Sequence, residues 1–341
     1  MSEITNHEVY QLGDLTLDVG VTLPKSWIAY KTYGEMNNER DNVIVFPTWF
    51  VGTHADVEWL IGDGNAIDTR KYFVVVPSML ANGLSSSPSN TAPPYDRARF
   101  PEISIQDNVR AQYRLITENF DVQGIQLAIG GSMGAFQAYQ WGLEFPDLVK
   151  RIAPCCGAAR VSRHCYVFLA GAKAALESDP SLAAGDYNSP PEVGLRALGR
   201  VWAGWALSQE FYRKQLYKQM GFEDVDSFLV DFWEAFWIGL DANNLLSQLD
   251  TWQNADISKT PGYDGDLRRA LADIRAKAVL SPGEKDLYFP AEDMAWEAEQ
   301  MPNAKLCTIP GAWGHFSEVG IDSACSEFLS NSIRALLLLE E

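Results

Sequence analysis

One stretch of the sequence decides the fold: Ile125-Gln-Leu-Ala-Ile-Gly-Gly-Ser132-Met-Gly134-Ala-Phe-Gln-Ala-Tyr139. Its apolar start, Ile125 to Ile129, is typical of a buried strand, and the residues after Ser132 predict a helix. The pattern G-x-S-x-G joins the two. Gly130 and Gly134 allow strand and helix to approach closely around a strained turn. Because such a turn exposes the Ser132 hydroxyl at the positive end of the helix, we predict that Ser132 is a nucleophile.

Short apolar runs recur between helical stretches along much of the chain. They are Val43 to Phe46, Phe73 to Val76, Ile125 to Ile129, Ala278 to Leu280 and Leu306 to Ile309. A buried parallel sheet with crossover helices has this pattern. Ser104 and Asp107 predict a capping box at the start of the helix before the third run. The first forty residues instead alternate apolar and polar positions around turn signals such as Leu12-Gly13-Asp14 and Tyr33-Gly34-Glu35. We therefore predict an α/β fold with a mostly parallel central sheet and antiparallel strands at one edge.

Between about Ala159 and Arg269 the strand signal disappears, and the sequence becomes helical and rich in aromatic residues. The large aromatic residues of this segment include Trp202, Trp205, Phe232, Trp233, Phe236, Trp237 and Trp252. We predict an inserted helical lid over residues 159–269, and a core formed by residues 1–158 and 270–341. Most of the tryptophans are expected to pack between lid helices, and a few to line a substrate pocket.

A serine nucleophile needs a base within hydrogen-bond reach and an acid that orients this base. Of the four histidines, His7 and His54 precede Ser132, and His164 lies where the predicted lid begins. His315 lies in a loop just after the last predicted strand. In the α/β-hydrolase fold the base follows the nucleophile and the acid at this position, so we predict that His315 is the base.

The third member of the predicted triad follows the strand that ends at Leu280. The segment Ser281-Pro-Gly-Glu-Lys-Asp286 offers two carboxylates, Glu284 and Asp286. The turn at Pro282-Gly283 is expected to direct Glu284 toward solvent. We therefore predict Asp286 as the acid that accepts the histidine Nδ1 proton, with Glu284 as its rival.

The tetrahedral intermediates of acyl transfer need two convergent hydrogen-bond donors. One is the backbone N–H after the nucleophile, which here belongs to Met133. The second comes from the loop after an early strand, here the loop that follows Phe46. We predict the N–H of Trp49 as this donor, with the neighbouring Thr48 and Phe50 as alternatives.

The net charge of the sequence bears on which partners the protein can bind. With 45 acidic against 27 basic residues, the formal charge of −18 disfavours nucleic acid and anionic membranes as partners.

The N-terminal sequence lacks the pattern of a secretory signal, so we expect a cytoplasmic protein. The five cysteines include no C-x-x-C pair, and no metal site is predicted. Gly62-Asp-Gly64 lacks the third glycine of a dinucleotide site, so we predict no NAD, FAD or other cofactor.

The sequence also resembles the homoserine O-acetyltransferase family from about Asn42 to Gly320. The matching blocks are Leu60-Ile-Gly-Asp-Gly-Asn-Ala-Ile-Asp-Thr-Arg-Lys-Tyr-Phe73, Asp107-Asn-Val-Arg-Ala-Gln112, Gly130-Gly-Ser-Met-Gly134, Ser178-Asp-Pro180, Gly185-Asp-Tyr187, Leu240-Asp-Ala-Asn243 and Asp286-Leu-Tyr-Phe-Pro290. The resemblance implies the α/β-hydrolase fold, a helical lid that often mediates dimerisation, and a mechanism through an acyl-serine. It also implies Ser132, Asp286 and His315 as the triad.

Three departures from the family pattern concern substrate recognition. The transferases carry His-Ala-Leu-Thr-Gly where this chain has Pro47-Thr-Trp-Phe-Val-Gly52. Their catalytic histidine is followed by an aspartate associated with the substrate ammonium group, whereas His315 is followed by Phe316. An arginine associated with the substrate carboxylate appears here as Lys173, which lacks the bidentate fork of arginine. Phe50, Phe316 and Lys173 are therefore the predicted substrate-binding residues.

Family members with such changes include esterases that act on short-chain alkyl acetates. An apolar environment from Trp49, Phe50 and Phe316 suits the alcohol part of such an ester. We therefore predict a serine esterase that cleaves short-chain, acetate-type esters through an acyl-serine. The alternative is a homoserine O-acetyltransferase or a related CoA-dependent acyltransferase. The resemblance also predicts a homodimer formed through the lid, with the aromatic residues between 200 and 240 as exposed contacts.

Overall fold

The computed structural model describes residues 6–339, which contain an eight-stranded sheet. The strands are β1 (Glu8–Thr16), β2 (Thr22–Tyr33), β3 (Val43–Val45), β4 (Phe73–Pro77), β5 (Ile125–Gly131), β6 (Arg151–Cys155), β7 (Lys277–Leu280) and β8 (Ala304–Leu306). Their order across the sheet is β1-β2-β4-β3-β5-β6-β7-β8. β2 pairs antiparallel with both β1 and β4, and all later neighbours are parallel. The predicted α/β class and its antiparallel edge are confirmed.

Helical segments separate most of the strands after β3 and follow the last one. The α-helices are α1 (Ile105–Arg114), α2 (Met133–Glu144), α3 (Arg163–Glu177), α4 (Glu192–Ala206), α5 (Gln209–Arg213), α6 (Val225–Ser227), α7 (Ala235–Trp237), α8 (Ala242–Gln253), α9 (Leu267–Ala272), α10 (Ala291–Gln300) and α11 (Ser323–Leu337). Tighter or wider helical turns occupy His54–Leu60, Arg97–Arg99, Leu115–Asn119, Pro180–Gly185, Leu216–Met220, Phe228–Glu234, Ile257–Lys259 and Gly314–Glu318. Within residues 6–339, no helix has both the length and the apolar character needed to cross a membrane.

Both faces of the sheet are covered, since neighbouring strand residues, which point to opposite sides, pack in two different buried clusters. In β3, Ile44 packs in one buried cluster while Val43 and Val45 pack in the other. The first cluster includes residues of α11 and of the segment between β6 and β7, and the second includes residues of α1 and α10. Near-continuous apolar strands are what such two-sided burial requires.

The predicted start of α1 is confirmed in atomic detail. The Ser104 hydroxyl accepts a hydrogen bond from the Asp107 N–H at 2.9 Å, and the Asp107 carboxylate accepts one from the Ser104 N–H at 2.9 Å. This reciprocal pair satisfies two backbone donors that have no partner inside the helix. The helix then continues through the wider turn Leu115–Asn119.

Three details differ from the sequence prediction. Leu12-Gly13-Asp14 is not a turn: β1 runs through it, and the pairing register with β2 shifts at Gly13, whose φ is +68°. β8 ends at Leu306, and beyond it pairing with the β7 segment persists as an isolated bridge between Gly283 and Ile309. The strand β6 was not predicted. Its sequence Arg-Ile-Ala-Pro-Cys carries a charge and a proline, which argue against a central strand.

Between β6 and β7 the described chain forms helices α3 to α9 and no named strand. Part of this segment shares the buried core of the sheet, since Ile257, Ala270 and Leu271 belong to the same buried cluster as Val43 and Val45. The bounds 159–269 of a separate lid therefore stay a prediction.

Helix α10 carries a buried acid, Glu297. One of its carboxyl oxygens accepts a hydrogen bond from the Tyr139 hydroxyl at 2.6 Å, and the other accepts one from the Ala159 N–H at 2.8 Å. Burial raises the pKa of Glu297 to about 7, because desolvation disfavours the charged form more than these donors favour it. Glu297 thus ties α2, α10 and the start of the inserted segment together.

We expect this acid to make the protein less stable at alkaline pH. The folded-state pKa lies above that of the unfolded chain, so its contribution to stability is complete below the unfolded pKa and is lost as the pH rises through about 7. Glu297→Gln removes the ionisation. Relative to wild type, the free energy of unfolding of this variant should rise by about 2 kcal/mol between pH 5.5 and 8. Urea denaturation at several pH values measures it.

The matched control for this prediction is Glu299→Gln, two residues further along the same helix. Glu299 is exposed, so its replacement should leave the pH dependence of unfolding parallel to that of wild type. If the Glu297→Gln curve also ran parallel to wild type, the acid would titrate normally in the folded protein and the argument would fail.

Candidate active site

The nucleophile turn connects β5 to α2. Ser132 has φ +50° and ψ −122°, a backbone conformation that residues other than glycine rarely adopt. A Cβ atom at Gly130 would lie 2.1 Å from the backbone oxygen of Gly134. One at Gly157 would lie 2.3 Å from the Ala135 Cβ. Gly130 is therefore required by the close approach of β5 and α2, and Gly157 by the close approach of α2 to the chain that follows β6.

The structure brings the three residues of the predicted triad together. The His315 Nε2 lies 3.0 Å from the Ser132 Oγ, and the His315 Nδ1 lies 2.7 Å from an Asp286 carboxylate oxygen. Ser132 follows β5, Asp286 lies beyond β7, and His315 lies in the short helical turn Gly314–Glu318. These three points converge at the carboxyl ends of the parallel strands. A base and an orienting acid thus stand in line with the serine hydroxyl.

Two further hydrogen bonds fix the acid. The second carboxylate oxygen of Asp286 accepts hydrogen bonds from the backbone N–H groups of Tyr288, at 2.8 Å, and Phe289, at 3.2 Å. The Asp286 side chain is fully buried. The rival, Glu284, is exposed and accepts a hydrogen bond from the Gly311 N–H at 3.0 Å. The geometry therefore places Asp286, and not Glu284, beside the imidazole.

The loop after β3 leaves few free donors for an oxyanion. The Thr48 N–H donates to the Pro77 carbonyl at 3.1 Å, and the Val51 N–H donates to the Gln248 side chain at 3.0 Å. Among the three residues considered for the second donor, Thr48 is thereby occupied. The amides of Trp49 and Phe50 are the remaining candidates in this loop, and both residues line the same cavity as Ser132.

A cavity of about 490 Å³ opens onto Ser132 and His315. Its wall is mainly aromatic, with Trp49, Phe50, Trp59, Trp202, Phe232, Trp233, Phe236, Trp237, Trp252, Tyr288 and Phe316. Asp56 and Glu318 are its acidic residues, and no lysine or arginine of the described chain lines it. Such a wall suits an uncharged, largely apolar group. Six of the seven aromatic residues singled out between 159 and 269 therefore lie at the cavity.

Lys173 does not lie where the resemblance placed it, whereas Trp205 packs between inserted helices as expected. The Lys173 ammonium does not reach the cavity, because it forms an ion pair with Asp250. Lys173, predicted to bind the substrate, therefore lies outside the cavity. Trp205, the seventh aromatic residue, packs instead against His164 and Phe168, with ring centroids 4.9 Å apart in both pairs.

Sequence reasoning missed several residues of the cavity, among them a buried acid beside the base, Glu318. Its Oε1 lies 3.5 Å from the His315 Nε2. Its Oε2 lies against the residue before the nucleophile, since a Cβ atom at Gly131 would be 2.2 Å from it. An acid three positions after the base, on the same face of a helical turn, was the available signal.

The Glu318 carboxyl lies close to two cysteine thiols as well. One ligand atom from each of Cys155, Cys156 and Glu318 lies within 4.8 Å of the others. Burial raises the pKa of Glu318 well above its usual range, and the neighbouring Cys155 and Asp286 add to the effect. The pKa of Cys156 is raised as well, by its hydrogen bond to Cys155 and by burial. The raised pKa values of Glu318 and Cys156 favour their protonated forms, which do not bind cations.

The fold and this site define the class of protein. Residues 42–318 match the family of proteins with the α/β-hydrolase fold. The chain belongs to this family.

Several members of this family are similar to this chain over most of its length. An ethyl acetate hydrolase of Pseudomonas veronii is 36% identical over 97% of this chain and 95% of its own length. A probable esterase of Corynebacterium glutamicum is 37% identical over 91% and 89%. The solved structure of the acetyl esterase MekB has a TM-score of 0.95 and 35% identity, over 97% of this chain and 96% of its own. Homoserine O-acetyltransferases are also relatives, one of them 31% identical over 80% of this chain. The predicted resemblance is confirmed.

Proposed function

We propose that this protein is a serine esterase that hydrolyses short-chain, acetate-type alkyl esters. The observation that carries the proposal is an aromatic cavity of about 490 Å³ whose wall includes Ser132 and His315. These two residues are hydrogen-bonded to each other, and His315 is hydrogen-bonded to Asp286. The names of the relatives, an ethyl acetate hydrolase and an acetyl esterase, support the same substrate class. Phe316, beside the base, gives the alcohol portion an apolar surface and offers no charge to an ammonium group.

The proposed reaction has two halves. In the first, the Ser132 Oγ attacks the ester carbonyl carbon while His315 takes the serine proton, and the same proton then passes to the departing alcohol. In the second, water attacks the acyl-serine, His315 takes a water proton, and the carboxylic acid leaves as Ser132 regains its proton. Asp286 stabilises the imidazolium in both halves. The N–H groups of Met133 and Trp49 are the proposed donors to the tetrahedral oxyanion.

The experiment that tests this function compares two acyl acceptors. Purified protein is given ethyl acetate in one series, and acetyl-CoA with homoserine in the other, and the products are separated and quantified. We expect acetate from ethyl acetate and little O-acetylhomoserine. Faster formation of O-acetylhomoserine than of acetate would replace the esterase with an acyltransferase, the activity named for the more distant relatives.

We also propose a homodimer formed through the inserted helices. The exposed aromatic contacts expected between residues 200 and 240 are not found, since Phe236 is the only exposed aromatic residue of that described segment and it lines the cavity. A different face supports the proposal. On α3, Tyr166 is 50% and Val167 65% exposed, beside the small exposed residue Ala170. Sedimentation velocity at micromolar concentration should show a dimer, and a monomer alone would exclude it.

A cytoplasmic location is the remaining part of the proposal. All five cysteines are free in the structure, and four of them are buried. Cysteines of proteins in oxidising compartments are commonly paired as disulfides, so free thiols favour a reducing compartment. Cell fractionation that recovered the protein outside the cytoplasm would contradict this location.

A further inference from the structure

Two acids of the described residues line the cavity outside the triad, Asp56 and Glu318, and of these only Glu318 is buried. Only 4% of this residue is exposed, and within residues 6–339 no partner makes a hydrogen bond of ordinary geometry to its Oε2, although the Cys155 thiol and the Ser132 N–H lie near the carboxyl group. An unpaired polar atom in the interior costs free energy, so a purely structural role would leave this cost without compensation. The carboxyl lies between Gly131, the residue before the nucleophile, and the imidazole of His315.

The position of Glu318 relative to the base suggests what it contacts during the reaction. In the resting site the His315 Nε2 has two oxygen neighbours: the Ser132 Oγ at 3.0 Å and the Glu318 Oε1 at 3.5 Å. Once Ser132 is acylated, its oxygen no longer carries a proton to donate to Nε2. A water molecule that donates to Nε2 at an ordinary hydrogen-bond length of about 2.8 Å can also donate to an oxygen 3.5 Å from Nε2.

We propose that Glu318 holds the water that hydrolyses the acyl-enzyme. The water donates one hydrogen to His315 Nε2 and the other to Glu318 Oε1, which aims its oxygen at the acyl carbonyl carbon. This inference rests on the proposed esterase function and adds to it a residue that favours water over an alcohol as the acyl acceptor.

The step balances without a further reactant. The water oxygen bonds to the acyl carbon, and one water proton moves to Nε2. The tetrahedral intermediate then breaks its bond to the Ser132 Oγ, which takes the proton from Nε2, and the carboxylic acid leaves. Glu318 keeps its own proton throughout.

The neutral form of Glu318 is essential to this arrangement. A carboxylate beside Nε2 would bind the imidazolium as an ion pair. It would then compete with the Ser132 Oγ for the proton that Nε2 carries. Burial, with the added effect of Cys155 and Asp286, raises the pKa of Glu318 well above its usual range. The uncharged acid can therefore orient the water without holding the base in a charged pair.

The test separates acylation from deacylation. Stopped-flow traces with 4-nitrophenyl acetate give an acylation burst followed by a steady state set by deacylation, and trapped acetyl-enzyme is measured by mass spectrometry. Glu318→Met is expected to slow deacylation by about tenfold to a hundredfold, because a reacting group displaced by about 1 Å loses that much. Its acylation rate constant should change by less than about threefold, so acetyl-enzyme accumulates. Glu318→Gln keeps an uncharged carbonyl oxygen and should restore deacylation to within about threefold of wild type.

Two checks make the result decisive. The melting temperature and the rate of Ser132 labelling by a fluorophosphonate report whether each variant is folded with a competent first half-reaction. Should Glu318→Met not fold, the same prediction passes to Glu318→Leu. Equal slowing of both half-reactions in the folded variants, or unchanged deacylation, would overturn the inference. If wild-type protein itself cleaved no acetate ester, the proposed function would fail, and no variant would be needed to show it.

Discussion

Ser132→Ala is expected to lower kcat/KM for ester hydrolysis by at least about 10⁴-fold. Alanine has no hydroxyl, so neither the acyl-serine nor the proton transfer to His315 across 3.0 Å can occur. The oxyanion donors and the aromatic cavity remain and can support only slow attack by water. Initial rates with 4-nitrophenyl acetate and ethyl acetate measure the loss.

A second serine serves as the matched control for that variant. The Ser178 hydroxyl donates to the Ala175 carbonyl at the end of α3, at an exposed position that does not line the cavity. Ser178→Ala should therefore keep kcat/KM within about twofold of wild type. If Ser132→Ala kept more than about 1% of wild-type activity while remaining folded, the assignment of the nucleophile would be wrong.

The nucleophile turn could be predicted from the sequence because its information is local. Gly130 is needed because a Cβ atom there would lie 2.1 Å from the Gly134 oxygen, four residues away, so a short pattern records this contact. The same is true of the capping box of Ser104 and Asp107. His315 could be found by elimination, because the chain has few histidines and only one after the last strand.

The strand β6 could not be predicted, because the reasons for it are nonlocal. Arg151 is buried in a strand because its guanidinium donates to the Gln126 side chain and to the Leu339 carbonyl, which come from distant parts of the chain. Pro154 lies beside Gly130 in the sheet, although a proline lacks one ladder donor. Neither partnership leaves a signal within the five residues of the strand.

The site differs from the sequence prediction at Lys173 and at Glu318, and the side chains around each residue explain the difference. Lys173 was placed near the substrate by its correspondence to a family arginine, yet the nearby Asp250 binds its ammonium. Glu318 was overlooked because an acid near a histidine is common in sequences. Its significance appears only when Gly131 and the His315 Nε2 are seen on either side of it.

Asp286→Asn is expected to lower kcat/KM by about 10³- to 10⁴-fold, although the variant is nearly isosteric. The N–H groups of Tyr288 and Phe289 both point at one side-chain oxygen, so the asparagine must present its own oxygen to them. Its NH₂ group then faces the His315 Nδ1. This forces the proton onto Nε2, and the imidazole can no longer take the proton of Ser132.

The control for Asp286→Asn is the corresponding change at its rival, Glu284→Gln. Glu284 is exposed, and its contact is with the Gly311 N–H rather than with the imidazole. Glu284→Gln should therefore retain kcat/KM within about threefold, since an exposed hydrogen bond contributes little. Rates measured over a range of pH distinguish the two sites, because a trapped tautomer stays inactive at every pH. A tenfold or smaller loss in Asp286→Asn, together with a large loss in Glu284→Gln, would move the acid of the triad to position 284.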